Sequence, residues 1–424
     1  MNNTIRYFTE YESKKIDYKL PSLFFERGYC EKNPDNSIKF KIVGFIEFDG
    51  IFYVIFPKGM SKSIIDNKKN ASILLKVLKK YWSSSYLEDS EATWNAQHNN
   101  AKFFKVVEWL IQDYKVSSLM QRNQKTIEVN GNGRIEWNKT IKKINPTITS
   151  NKNMIYMDLL TSKNKNQSDA EIIQIHKYVL SDIKLKYGDI FEFTYHDKSN
   201  IVKPSTNYLI YQLKKSLAST NIDREIYLQK NLIAYLSEKS NDNKMHVLAT
   251  PYFANIWEEM CKHFLKDEPN IREILPKPYW NFMGRELYSS QIPDILTTNQ
   301  DSLFIFDAKY YQVLKGIDKL PGWKDLVKQF FYALSLKKTA ETIYSVFLFP
   351  GTFNQSIYEY LGYASVKEEE IEATETFGYI LGIGIDVIYL SNIYIRSTDT
   401  ILRKQIHDLV LEKSMVVNDK LKIK

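Results

Sequence analysis

Two runs rich in apolar and β-branched residues, IKFKIVGFIEF and IFYVIFPKGM, flank Asp49-Gly50 within residues 38–60. An Asp-Gly pair between two such runs predicts a tight hairpin. The period then changes. ASILLKVLKKYW (71–82) and NAKFFKVVEWLIQDY (100–114) carry apolar residues three and four apart and predict helices. In VNGNGRIEWNKTIKKINP (129–146) a Gly/Asn turn cluster precedes a short strand and a loop ending at Pro146. Gly131 and Gly133 are not followed by GK[ST] or a helix opening, so they do not form a phosphate loop. Residues 168–240 have helical spacing throughout, with His176 on one of the helices and without a role.

The polar stretch KSNDNK (239–244) is the most linker-like break. Beyond it the pattern predicts a helix (251–265), two strands (291–309), a helix (323–336), the strands YSVFLFP (344–350) and YILGIGIDVIYL (379–390), and a final helix near 399–415. Strands alternating with helices indicate a mixed α/β sheet flanked by helices. The expectation is therefore an α+β multidomain protein: a β-rich module over 1–150, a helical connecting region over 151–244 and an α/β core over 245–424.

Composition changes this picture little. With 424 residues, 44% of them apolar and 14% aromatic, the chain can build more than one core. A net charge of +8 and a pI near 8.9 are compatible with a polyanionic partner without requiring one. Cys30 and Cys261 are too few for a disulfide framework or a four-ligand zinc site, and the six histidines never fall at ligand spacing. No run of 18 uncharged apolar residues occurs, and MNNTIRYFTEYESKK has no apolar signal segment. A soluble, unexported, cytoplasmic protein with no membrane partner is the expectation.

SQIPDILTTNQDSLFIFDAKYYQ (290–312) strings two aspartates and a lysine through sheet-forming sequence. A turn centred between Gln300 and Asp301 would set Asp294 directly opposite Asp307, where paired Cβ atoms lie about 5 Å apart on one face. Carboxylates that close repel unless a cation lies between them. Lys309 shares that face by the two-residue period. LFIF (303–306) is apolar on both faces, as in a central strand, and polarity begins only at its carboxyl end, where sites on α/β sheets sit.

The chemistry that suits this set is phosphodiester hydrolysis assisted by a hard divalent cation. Asp294 and Asp307 would bind Mg²⁺, with Mn²⁺ as an alternative, the Ala308 carbonyl would be a further ligand, and Lys309 would orient water or offset charge. On the helix PYFANIWEEMCKHFL (251–265), Phe253, Ile256, Trp257, Met260 and Phe264 form the apolar stripe. At about 100° per residue Glu258 flanks the stripe, while Glu259 falls on the wet side. Glu258 is thus the expected third carboxylate. WKDLVKQFFYALSLKK (323–338) places Gln329 and Tyr332 on one helical face near Lys324 and Lys328, a set suited to DNA phosphate contacts or to an ordinary amphipathic helix.

Pro293-Asp294 with Asp307-Ala308-Lys309 resembles the signature of the PD-(D/E)xK nuclease superfamily. IPDIL followed by FIFDAKYY is similar to the McrC and LlaJI group of restriction endonuclease subunits. VGFIEFDGIFYVIFPKG, GRIEWNKTI (133–141) and NIWEEM extend the resemblance over most of the chain. It implies a PD-(D/E)xK core at 245–424, metal binding by Asp294 and Asp307, the catalytic lysine role for Lys309 and the helix-glutamate role for Glu258. Gln329 and Tyr332 resemble the motif after the core, one residue shorter than Gln-x-x-x-Tyr.

The resemblance also implies a Mg²⁺-dependent DNA endonuclease subunit of a phage-defence restriction system, acting with a McrB-like AAA+ GTPase. The N-terminal module would dock on that partner. No GxxxxGK[ST] occurs in this chain, so nucleotide hydrolysis would belong to the partner. Double-strand cleavage would need two copies or two encounters. Two other readings stay open: an autonomous repair or transposase-like nuclease of the same superfamily, and an inactive nuclease fold serving DNA binding or assembly.

Overall fold

In the computed structural model, the described residues are 5–60, 64–83, 87–99, 101–120, 123–166, 171–196, 205–239, 244–268, 270–271, 275–289, 292–299, 301–353, 356–368, 371–372, 377–396 and 400–422. Residues 240–243 of the KSNDNK break and Gln300 of the site turn lie outside them. The contacts divide the chain into two units: Met1–Asn100 with Met245–Lys424, and Ala101–Lys244. This grouping differs from the three consecutive spans read from the sequence.

Two larger sheets, of four and five strands, organise the first unit among the described residues. Asp49 and Gly50 both take positive φ, as a two-residue hairpin turn requires, and Val43–Phe48 pairs antiparallel with Ile51–Phe56. Ile5–Thr9 adds in parallel on one side and Met245–Thr250 antiparallel on the other, giving four strands. All six residues of MHVLAT are buried, which explains why the sequence reading passed over this strand: a short run buried on both faces has no period. Gly44 (φ +137) is required at this junction, because a Cβ there would lie 2.3 Å from the Leu248 carbonyl oxygen.

The second sheet has five strands in the order Ile295–Asn299, Ser302–Ala308, Thr342–Gly351, Ile380–Asp386, Tyr358–Ala364. Its three central strands run parallel and both edges antiparallel, so it is mixed, as expected. Helix Trp323–Ser335 covers one face, where Tyr332 and Leu336 pack with Leu296, Leu303 and Ile305. On the other face His407, from helix Thr400–Lys422, lies against Phe304 and Phe306 and meets the Thr297 hydroxyl at 3.0 Å. The run expected as one strand over 379–390 stops at Asp386. Asp386 Oδ1 accepts from the Tyr389 amide and caps helix Val387–Arg396.

Hairpin Tyr279–Phe282 with Arg285–Tyr288, unread in the sequence, stands exposed. The edge strand Tyr358–Ala364 was also unread.

The second unit holds helices Ala101–Ser117, Glu171–Phe191, Thr206–Leu217 and Asp223–Lys239, with a three-stranded sheet built on Leu160–Asn166. Arg224 grips Asp113 through two 3.0 Å hydrogen bonds. His176 is fully buried; its Nδ1 accepts from the Met120 amide, and burial holds its pKa down to about 4. WNKTIKK, expected as a loop, is a helix, and its buried Thr140 hydroxyl accepts from the Leu160 amide. Among the described residues no helix is long and apolar enough to cross a membrane.

Candidate active site

The register of the site hairpin follows from its turn. Ile295 faces Phe306 and Leu296 faces Ile305, and the same alignment carries Asp294 towards Asp307. Asp307 lies one residue before the strand's end and is 1% exposed. Asp294 Oδ2 accepts from the Ala308 amide at 3.0 Å, which stitches the two carboxylate-bearing segments together. The Lys309 amide donates to Leu348 O on the neighbouring parallel strand.

Lys309 Nζ lies 2.6 Å from Asp307 Oδ2 and 2.9 Å from Asp325 Oδ1. Lys328 Nζ approaches from the covering helix to 3.6 Å from Asp307 Oδ1 and 4.0 Å from Asp294 Oδ1. Two ammonium groups therefore bracket the acidic pair. Burial, then Asp307, then Glu258 push the Asp294 carboxyl up to about 7 against the opposing pull of Lys328. Burial alone would lower the Lys309 ammonium, but Asp307 and Asp325 outweigh it and the net shift is upward.

The other expected residues fall into different places. Gln329 is buried and its amide donates to Ile305 O at 2.9 Å, fastening the helix to the strand that carries Asp307. Tyr332 is also buried, beneath Lys328, whose ammonium lies 5.6 Å from its ring centre. Its pKa is raised by burial, then by Asp294 and Asp307. Glu258 is half-exposed and its Oε1 lies 2.5 Å from Lys262 Nζ on its own helix. Glu259, expected on the wet side, is instead partly buried: burial raises its pKa, and the Lys262 charge, then that of Lys80, opposes the shift. The stripe wraps further round this helix than the apolar residues alone indicate, because helix Val387–Arg396 also packs on it.

The sequence reading missed Asp325. Positions 325, 328, 329 and 332 fall on one helical stripe, so the spacing that singled out Gln329 and Tyr332 also pointed to it.

The donor chemistry fits a hard cation. Lys309 contacts Asp307 as an ion pair, and neither Asp307 oxygen receives a well-aligned hydrogen bond among the described residues. A cation between the carboxylates would offset the burial and the repulsion that raise Asp294, and two carboxylates completed by water suffice for Mg²⁺. Among the described residues no group of three or more His, Cys, Asp or Glu is assembled to hold a metal, and Glu258 pairs with Lys262.

A mixed sheet flanked by helices, with opposed carboxylates and a paired lysine at the carboxyl end of its second strand, defines an α+β protein with a cluster of carboxylate and ammonium groups at the sheet's end. The chain belongs to the LlaJI restriction endonuclease family, whose model matches residues 42–380. It is 25% identical over 396 residues, 88% of this chain and 85% of the relative, to the type II restriction enzyme BsuMI component YdjA of Bacillus subtilis. A Thermococcus gammatolerans assembly of McrB AAA+ hexamers with bound McrC aligns over 93% of this chain and 99% of that one, at 12% identity and a TM-score of 0.35.

Proposed function

We propose that this protein is the DNA-cleaving subunit of a restriction system, hydrolysing phosphodiester bonds with Mg²⁺ and acting with a McrB-like AAA+ GTPase. The observation that carries the reading is the Asp294–Asp307–Lys309 cluster, closed by Ala308 and Lys328, in a member of a restriction endonuclease family. The relative's designation as a component supports a partner subunit.

Asp294 and Asp307 would hold the metal, with the Ala308 carbonyl beside them and Glu258 joining on leaving Lys262. The bound metal would supply Lewis-acid polarisation of the phosphate and a lower pKa for water. Lys309, oriented between Asp307 and Asp325, would direct the attacking water and offset charge on the phosphate oxygens. Lys328, exposed on one side, would steer the DNA backbone into line. Gln329 and Tyr332 would support the site from below.

The test is cleavage of methylated and unmethylated plasmid in Mg²⁺, by this chain alone and with the AAA+ partner and GTP, with Asp294→Ala as control. Cleavage that needs the partner and disappears in the variant is the expected result. Cleavage by the chain alone would replace the reading with an autonomous nuclease. Cleavage by Asp294→Ala at the normal rate would overturn the site assignment.

A further inference from the structure

Lys309 is followed by Tyr310, a buried residue whose hydroxyl points away from the carboxylate cluster and into the N-terminal sheet region. It donates to Glu10 Oε2 at 2.8 Å and accepts from the Lys58 amide at 2.9 Å. Lys58 Nζ donates to the Tyr310 carbonyl at 3.0 Å and lies 4.3 Å from its ring centre, while Phe253 packs on the ring at 5.5 Å. Glu10 is itself pinned, its amide donating to Phe56 O, and it is 1% exposed.

A cluster of carboxyl, phenol and ammonium groups removed from water is an expensive way to join two sheets, because apolar residues of equal volume pack as stably. Such clusters fix one geometry. Here the fixed geometry is that of the backbone from which Lys309 departs.

We propose that Glu10, Lys58 and Tyr310 are positioning residues that hold Lys309 between Asp307 and Asp325, so that the N-terminal sheet sets the competence of the site; this rests on the nuclease reading above. The clamp acts through the backbone: Leu348 O holds the Lys309 amide and Lys58 Nζ holds the Tyr310 carbonyl. A displacement of the 51–56 strand, to which Glu10 is bonded, would release Tyr310 and with it the lysine.

The experiment compares Tyr310→Phe, Glu10→Leu and Glu10→Gln in the full chain by single-turnover cleavage under the conditions above, and by hydrogen exchange over residues 307–312. Tyr310→Phe and Glu10→Leu should lower kcat by about tenfold or more with KM within about twofold, the size expected when a buried hydrogen bond loses one partner. Both should speed exchange at 307–312. Glu10→Gln keeps the acceptor and should stay within about threefold of the parent, while Tyr310→Phe keeps the ring's packing and loses only the hydroxyl, so its damage is one that a purely bulk-packing role would not show. Unchanged kcat and unchanged exchange in Tyr310→Phe and Glu10→Leu overturn the proposal, as does equal damage by Glu10→Gln and Glu10→Leu. If the parent does not cleave, the nuclease reading falls, and the exchange pattern alone decides for or against the clamp.

Discussion

Asn in place of Asp294 should stabilise the metal-free protein above neutral pH. Burial, Asp307 and Glu258 push this carboxyl from 3.8 up to about 7, so the folded chain binds its proton more tightly than the unfolded chain does. Stability from such a group is complete below about pH 4 and is lost as pH rises through about 7. The whole step corresponds to ~4 kcal/mol. Because part of that step is screened by solvent and by the Lys328 charge, we expect roughly 2–4 kcal/mol from Asp294.

Asn cannot ionise, yet keeps an oxygen for the Ala308 amide. The parent's own pH curve would blur the effect. Glu10, pushed up to about 7 by burial, adds a loss of the same sign, whereas His176 and His407, held down to about 4 by burial, lose stability in the opposite direction as pH falls. The difference between variant and parent cancels these. The assay is urea unfolding in EDTA from about pH 4 to about pH 8, read by amide exchange in strand Ser302–Ala308 so that only the unit carrying the site reports. The difference should be near zero at the acid end and favour the variant by roughly 2–4 kcal/mol at the alkaline end. A flat difference would refute the argument from burial and repulsion. Mg²⁺ should narrow the gap by stabilising the parent.

Lys309→Ala should abolish cleavage while circular dichroism stays at the parent's, and plasmid nicking at the parental rate would exclude Lys309 from the chemistry. Gln329→Leu leaves Ile305 O without its donor and should lower stability by about 1–3 kcal/mol in urea unfolding, with no selective loss of DNA affinity. Gly44→Ala drives a Cβ into the Leu248 carbonyl and should lower stability by about 2 kcal/mol or more; an unchanged unfolding midpoint would contradict the strand pairing drawn there. DNA binding by this chain alone should be weak and fall steeply with salt in a fluorescence titration, since phosphate contacts release counterions.

The site was legible because its residues are unusual for their position. LFIF leading into Asp307-Ala308-Lys309 put charge where a sheet interior was due, and the turn placed Asp294 in register without any long-range information. Asp325 and the pairing of Lys328 depend on which face of their helix meets the sheet, and amphipathic spacing alone does not say which sheet that is. Glu258 could be placed on a flank, but not its preference for Lys262, because two rotamers of a long side chain look alike in sequence. Glu10 and Tyr310 lie 300 residues apart, and no local pattern connects them. The six residues 245–250 were lost for the opposite reason: they are buried on both faces and too short to show a period.

That last strand has a consequence for the order of events during synthesis. The hairpin 43–56 emerges early, but the partner of Val43–Phe48 is not made until the ribosome has read through residues 101–244. At ~5–20 residues per second, the nascent sheet waits on the order of ten seconds with its 43–48 backbone edge open. Such an edge pairs readily with a neighbouring chain. Yield at high expression should therefore depend on translation speed across 101–244, and a temporary holder for the 43–48 edge, supplied in trans, should raise it.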